Sequence, residues 1–170
     1  EPAANLVGRF IVHTTPDGML TATSGPEHPS FLASSDTRSR PVFTTTAPDG
    51  TLYVVDMYRG IIQHRTFITG YLETQIKQRG LEQPVGLGRI YRVVHTTTKR
   101  APKPHLSRAS TAQLVQTLSH PNGWWRITAQ RLLVERGDKS AVPALKKLAH
   151  SAPSEITRLH ALWTLDGLDA

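Results

Sequence analysis

No cysteine occurs in the chain, so these residues hold no disulfide, no thiolate metal site, no cysteine nucleophile and no CxxCH haem attachment, and the redox compartment cannot be read from them. Long apolar runs are missing as well. The longest are pieces such as Tyr53-Val54-Val55 and Leu132-Leu133-Val134, far short of the roughly 20 residues a helix needs to cross a bilayer. HExxH, GxSxG, P-loop and EF-hand patterns are all lacking, and the histidines lie too far apart in sequence to suggest a zinc set. Gly86-Leu87-Gly88 is half of a dinucleotide fingerprint and leads into a strand pattern instead of a helix, which removes it from consideration. The chain opens at Glu1 with neither Met nor an apolar leader, and the expectation is a processed or excised piece of a larger protein, its export signal already removed.

What is present is a globular composition, 38% apolar and 19% charged over 170 residues, enough for one domain or two small ones. The formal charge of +7 is unevenly placed. Residues 1–95 carry 9 Lys and Arg against 8 Asp and Glu, residues 96–110 carry 4 against none, and residues 111–170 carry 7 against 5. The surplus gathers in Thr96-Thr97-Thr98-Lys99-Arg100-Ala101-Pro102-Lys103-Pro104-His105, a polar stretch without apolar periodicity that reads as a solvated connector. Neither flanking part clusters Lys and Arg on one face with interleaved aromatics, so nucleic acid is not an expected partner.

The connector divides two patterns. Before it, Asn5 to His13 and Met19 to Ser24 flank Pro16-Asp17-Gly18, and Val42 to Thr46 and Thr51 to Asp56 flank Pro48-Asp49-Gly50. Both are hairpin signals, because Asp-Gly tolerates the positive φ of a tight turn. The two turns repeat at an offset of 32, which suggests successive elements of a repetitive sheet protein. Arg89 to Val94 adds a strand, and Phe67, Ile68, Tyr71, Leu72 and Ile76 recur at helical spacing up to Arg79, with Gly80 as C-cap. After the connector the period becomes helical. Ser110 to Gln113 is a capping box for a helix through Leu118, and Asn122 caps one from Trp124 to about Arg136. Ser140 caps a third with Pro143 in its first turn, and Ser154 a fourth through Leu165. Val115, Leu118 and His120 recur as Leu145, Leu148 and His150, and Arg126, Ala129 and Leu133 recur as Arg158, Ala161 and Leu165, the pattern of two short HEAT-type helical repeats.

The densest polar cluster, Asp56 to Arg65, follows a strand, where a rigid sheet can position functional groups. Asp56 can ligate a cation or hold a base, His64 can transfer a proton near neutral pH, and Arg59 and Arg65 can clamp a carboxylate. The alternative is structural: Asp56 caps the turn, the arginines form surface ion pairs, and His64 is half-buried. Arg38 and Arg40, spaced i, i+2 in an extended segment, point to one side and suit an anionic ligand, or are exposed loop charges. Trp124-Trp125 reads as a structural anchor of its repeat, a stacking platform being the other option.

Taken in order, Asn5-Leu6-Val7, Arg40-Pro41-Val42, Ala47 through Arg65 and Gly88-Arg89-Ile90-Tyr91-Arg92-Val93, followed by His120 to Arg126 and Ala129 to Leu133, resemble the membrane-bound dehydrogenases of planctomycetes and related bacteria. That resemblance implies a propeller similar to the glucose and sorbosone dehydrogenases, which use pyrroloquinoline quinone, continuing into HEAT-type repeats and often a c-type cytochrome domain. It implies that Arg40 contacts the cofactor, while Val42 stands where those propellers often carry a second arginine. The expected fold is therefore α+β: residues 1–95 as the C-terminal part of a β-propeller with a helical insertion, 96–109 as a basic linker, and 110–170 as a short HEAT-like α-solenoid.

The expected function is a fragment of an exported, periplasmic or extracellular redox enzyme, a quinone-linked sugar or alcohol dehydrogenase passing electrons to a cytochrome c domain. The piece itself is expected to be inactive. Candidate cofactor contacts are Arg40, Asp56, Arg59 and Arg65, with His64 as candidate catalytic group and Asp56 as a weak metal candidate. Quinone and calcium would belong to the parent protein and haem c to another domain. Expected partners are the rest of the propeller, further repeats or the cytochrome domain, and a small sugar or alcohol substrate. Two alternatives stand beside this reading: a non-catalytic scaffold for protein binding, and a carbohydrate-binding propeller.

Overall fold

A computed structural model describes residues 1–24 and 30–170. The chain divides into two compact units, the first made of residues 1–45 and 53–93, the second of residues 46–52 and 94–170.

In the first unit the described strands are β1 (Leu6–Gly8), β2 (Phe10–Thr14), β3 (Leu20–Ser24), β4 (Ser30–Ala33), β5 (Pro41–Thr46), β6 (Leu52–Asp56) and β7 (Arg89–Val93), with the tips of β5 and β6 belonging to the second unit. They form three small sheets: β1 with β4, β2 with β3, and β5-β6-β7. The expected end of a β-propeller is not what these strands build, since among the described residues no sheet reaches four strands and none closes. The reason lies in register. The β1–β4 pairing shifts between Val7 and Gly8, the run from Asn5 to His13 breaks after Gly8, and β2 then pairs in strict register with β3, from Phe10 opposite Ser24 to Thr14 opposite Leu20. Helix α1 (Gly70–Arg79) is the helical insertion, capped by the Thr69 hydroxyl, which accepts from Leu72 N–H, and closed by Gly80 at φ 58°. Phe67, expected in that helix, lies instead in a preceding 3-10 turn and is exposed.

Few apolar side chains are buried in this unit. Val54, Ile76 and Leu81 are, together with the polar Ser39, Arg40 and Asp56. Strands β2 and β3 are exposed along their whole length, and Phe10, Val12 and Leu20 stand open at 66%, 63% and 72% exposure.

The second unit contains α2 (Thr111–Thr117), α3 (Gly123–Arg136), α4 (Val142–Ser151) and α5 (Glu155–Gly167). The Ser110–Gln113 capping box forms in both directions, and the Asn122 and Ser154 side chains accept from Trp124 and Thr157 N–H. Ser140 does not cap α4. Asp138 accepts from Ser140 N–H to start a 3-10 turn, and α4 begins behind it with Pro143 in its first turn. Repetition is real at the helix starts: Arg126 Nη1 donates to the carbonyls of His120 and Pro121, and Arg158 Nη1 to those of Ala152 and Pro153. The pairs nevertheless do not form the expected solenoid. Leu114, Leu118, Leu133, Leu145 and Ala161, all at 0% exposure, belong to one shared core instead of a series of stacked interfaces. The stretch expected as a linker over 96–109 docks in part, because Ala101 N–H donates to the Asp49 carbonyl at 3.2 Å and Leu106 enters the helical core.

Within the same unit, Trp125 Nε1–H donates to the Pro48 carbonyl at 2.8 Å and Asn122 Nδ2 to that of Ala47 at 2.8 Å, while the Trp125 ring stacks on His120. Trp125 anchors the Pro48-Asp49-Gly50 turn, while Trp124 packs against the helical core.

Leu133→Ala is expected to lower the unfolding free energy by about 2–5 kcal/mol, the range for a cavity in a packed core. Ile127→Ala on the same helix, at an exposed position, should change it by no more than about 0.5 kcal/mol. Urea denaturation followed by helical circular dichroism separates the two.

Candidate functional site

The candidate residues of the first unit gather around the end of β6, and their hydrogen bonds are directed inward. Asp56, at 1% exposure, accepts from Arg40 N–H at 2.7 Å and Tyr58 N–H at 2.9 Å through Oδ1, and from Arg89 Nε–H at 3.2 Å through Oδ2. A carboxylate surrounded by N–H donors is held as a structural anion. These donors point hydrogens where a bound cation would need lone pairs, so Asp56 does not fit a calcium ligand. Among the described residues no group of three or more His, Asp or Glu side chains could hold a metal ion.

Arg40 is 8% exposed and faces carbonyls, not an anion. Its Nε donates to the Arg59 carbonyl and Nη2 to that of Gly60, both at 2.9 Å, while Nη1 reaches the Pro2 carbonyl and Asn5 Oδ1, also at 2.9 Å. Burial lowers its pKa from the ordinary arginine value and the Asp56 charge opposes that shift. Arg38 is used in the same way, its Nη2 donating to the carbonyls of Gly80 and Gln83 at the end of α1, where the helix dipole favours a cation. The two arginines therefore do not form the expected anion clamp. The Arg40 donors are taken by backbone carbonyls and by Asn5 Oδ1, which does not fit the carboxylate of a quinone cofactor; of Arg38 only Nη2 is so engaged, and its buried Nε has no hydrogen-bond partner among the described residues. A recess of about 250 Å³ does lie beside Arg40, bordered by Gln63, Tyr71, Gln75 and Arg79.

Gly60 is where the chain needs the absence of a side chain. A Cβ there would stand 2.4 Å from the Leu81 carbonyl oxygen, and the Gly60 carbonyl itself receives the Arg40 bond. Arg59 meets Arg40 through its backbone oxygen only, and its own side chain is exposed. Arg65 is exposed at the start of a 3-10 turn. His64 caps that turn, its Nδ1 accepting from Thr66 N–H at 3.3 Å, and it is exposed as well. The structure thus joins Arg40 and Asp56 and leaves His64 and Arg65 outside their network.

Three members were not singled out by sequence. Tyr58 sits at φ 48°, a left-handed conformation uncommon for a residue with a Cβ. It is held there from three sides: its N–H by Asp56, its hydroxyl donating to Asp36 Oδ2 at 2.8 Å, and its ring beneath the Arg89 guanidinium at 3.7 Å. The available signal was the Arg89-Ile90-Tyr91 alternation, which places Arg89 and Tyr91 on one strand face. The N–H of Arg38, and then the Tyr58 hydroxyl, hold Asp36 below its ordinary pKa, while the bond to Asp36 raises that of Tyr58.

Arg40→Lys should cost about 1–3 kcal/mol of stability, because one ammonium cannot span the carbonyls the guanidinium joins and leaves some of them without a donor. Urea midpoints of Arg40→Lys against the parent chain measure this. The Asp36–Tyr58 bond has a pH signature. A depressed carboxyl pKa adds stability above about pH 4 that is lost as pH falls through the folded value; a raised phenol pKa adds stability below about pH 10 that is lost as pH rises through it. Plotted against pH, the melting temperature of Tyr58→Phe should show shallower alkaline and acid limbs than the parent chain, part of the alkaline limb remaining because the pKa of Lys77 is also raised by its bond to Glu73.

Searches of curated proteins and of solved structures gave no match. A family model described as a domain of unknown function, DUF7133, matches residues 1–97, which contain the whole Arg40–Asp56 network, and the chain belongs to that family.

Proposed function

We propose that this chain is a non-catalytic, interaction-bearing part of an exported redox protein, contributing surface for other polypeptide of that protein and leaving quinone, calcium and haem to other parts. One observation carries the reading. The groups with most chemical potential, Arg40 and Asp56, are occupied by internal hydrogen bonds, whereas the β2–β3 hairpin presents an uncovered apolar face. Opposed residues in its register share a side, so Phe10, Val12, Ala22 and Leu20 form that face. A two-stranded hairpin open on both sides is marginal by itself, and a contiguous apolar face of this kind marks an interaction site. The redox setting rests on the resemblance to bacterial membrane-bound dehydrogenases.

Thermal melts with pyrroloquinoline quinone and calcium chloride test the first half. A ligand at a hundredfold its Kd adds about 2.7 kcal/mol, several degrees in Tm, and no shift is expected. A shift that Arg40→Lys abolishes would overturn the reading. For the second half, Val12→Ser with Leu20→Ser should reduce binding of an apolar fluorescent dye by the folded chain. Unchanged dye binding would mean that this face is not the exposed surface.

A further inference from the structure

Two open depressions adjoin on the outer side of α2. One, of about 590 Å³, is bordered by Arg108 and Gln113, the other, of about 630 Å³, by Lys147 and Leu148; the exposed Gln116 and Ser119 border both, so the two lie side by side as a bipartite groove. The charges bordering the groove are of one sign. Arg108 lies on one side and Lys147 on the other, both exposed, and no Asp or Glu borders either depression. Residues 109–125, which supply α2, contain no charged side chain. Among the described residues neither Arg108 nor Lys147 forms an ion pair. Of the carboxylates nearest Lys147 in sequence, Asp138 accepts from the Thr111 hydroxyl and Ser140 N–H, and Glu155, exposed, pairs with Arg158 at 3.6 Å.

From this arrangement we infer that the groove binds an extended acidic peptide. The Gln113 and Gln116 amides are suited to a peptide backbone, Leu148 supplies an apolar contact, and a cation on each side attracts Asp or Glu. A single-stranded nucleic acid fits less well, because no Phe, Tyr or Trp borders the groove to stack a base. The inference stands apart from whatever covers the strands of the first unit.

Fluorescence anisotropy of the full chain with a labelled Glu/Leu/Ala decapeptide, its Gln-for-Glu counterpart and labelled dT10 tests it. The Glu peptide should bind at least about tenfold more tightly than the Gln peptide, and Arg108→Glu and Lys147→Glu should each weaken it about five- to tenfold. Lys146→Glu makes the same charge change on α4 outside the groove lining and should alter binding less than about twofold. Equal loss with Lys146→Glu, equal binding of the Gln peptide, or tighter binding of dT10 would each overturn the proposal. Matching melting temperatures for the three variants ensure that the comparison reads binding.

Discussion

Arginine donating to backbone carbonyl is the interaction on which both units depend. Arg40 joins Pro2, Arg59 and Gly60, Arg38 closes the end of α1, Arg126 and Arg158 hold the turns ahead of α3 and α5, and Arg136 ties down Ser107 and Ala109. Turns leave carbonyl oxygens without ladder or helix partners, and a buried one needs a donor. A planar guanidinium has five donors in fixed directions and can satisfy several such oxygens at once, which a lysine cannot. Five arginines are used in this way, of which Arg40 is buried.

The two units solve the same problem with different interiors. In the second, leucines and alanines at 0% exposure supply a conventional apolar core. In the first, Val54, Ile76 and Leu81 are few, and the centre is the linked chain of side chains Arg40, Asp56, Arg89, Tyr58 and Asp36. Such a centre specifies one arrangement of its loops, since removing the Arg89 guanidinium takes a donor from the buried Asp56 carboxylate and removing that of Arg40 leaves the Arg59 and Gly60 carbonyls without theirs. It buries little apolar area, and the uncovered face of β2–β3 is the counterpart of that economy.

For function, this shifts attention from the strand-end cluster to surfaces. Arg40 and the buried Asp56 carboxylate have the composition of a ligand site, but both are already complemented by the chain itself. What remains open is an apolar hairpin face in one unit and an acid-free groove along α2 in the other, both suited to polypeptide.

Local rules were legible in the residues. Pro16-Asp17-Gly18 and Pro48-Asp49-Gly50 each make the same turn, with Gly18 at φ 85° and Gly50 at φ 83°, because only a backbone requirement within five residues is involved. The caps at Ser110, Asn122 and Ser154, the Gly80 stop and the matched Arg126 and Arg158 follow from the same short range. Sequence also located Arg40 and Asp56 as the residues to watch. Their roles were decided by tertiary structure: residue type tells that a guanidinium seeks acceptors, and only the folded chain shows those acceptors to be the carbonyls of Pro2, Arg59 and Gly60. The sheet architecture was likewise beyond local pattern. Alternation marks a strand but not its partner, and the break after Gly8 that sends β1 to β4 and β2 to β3 is a matter of long-range register.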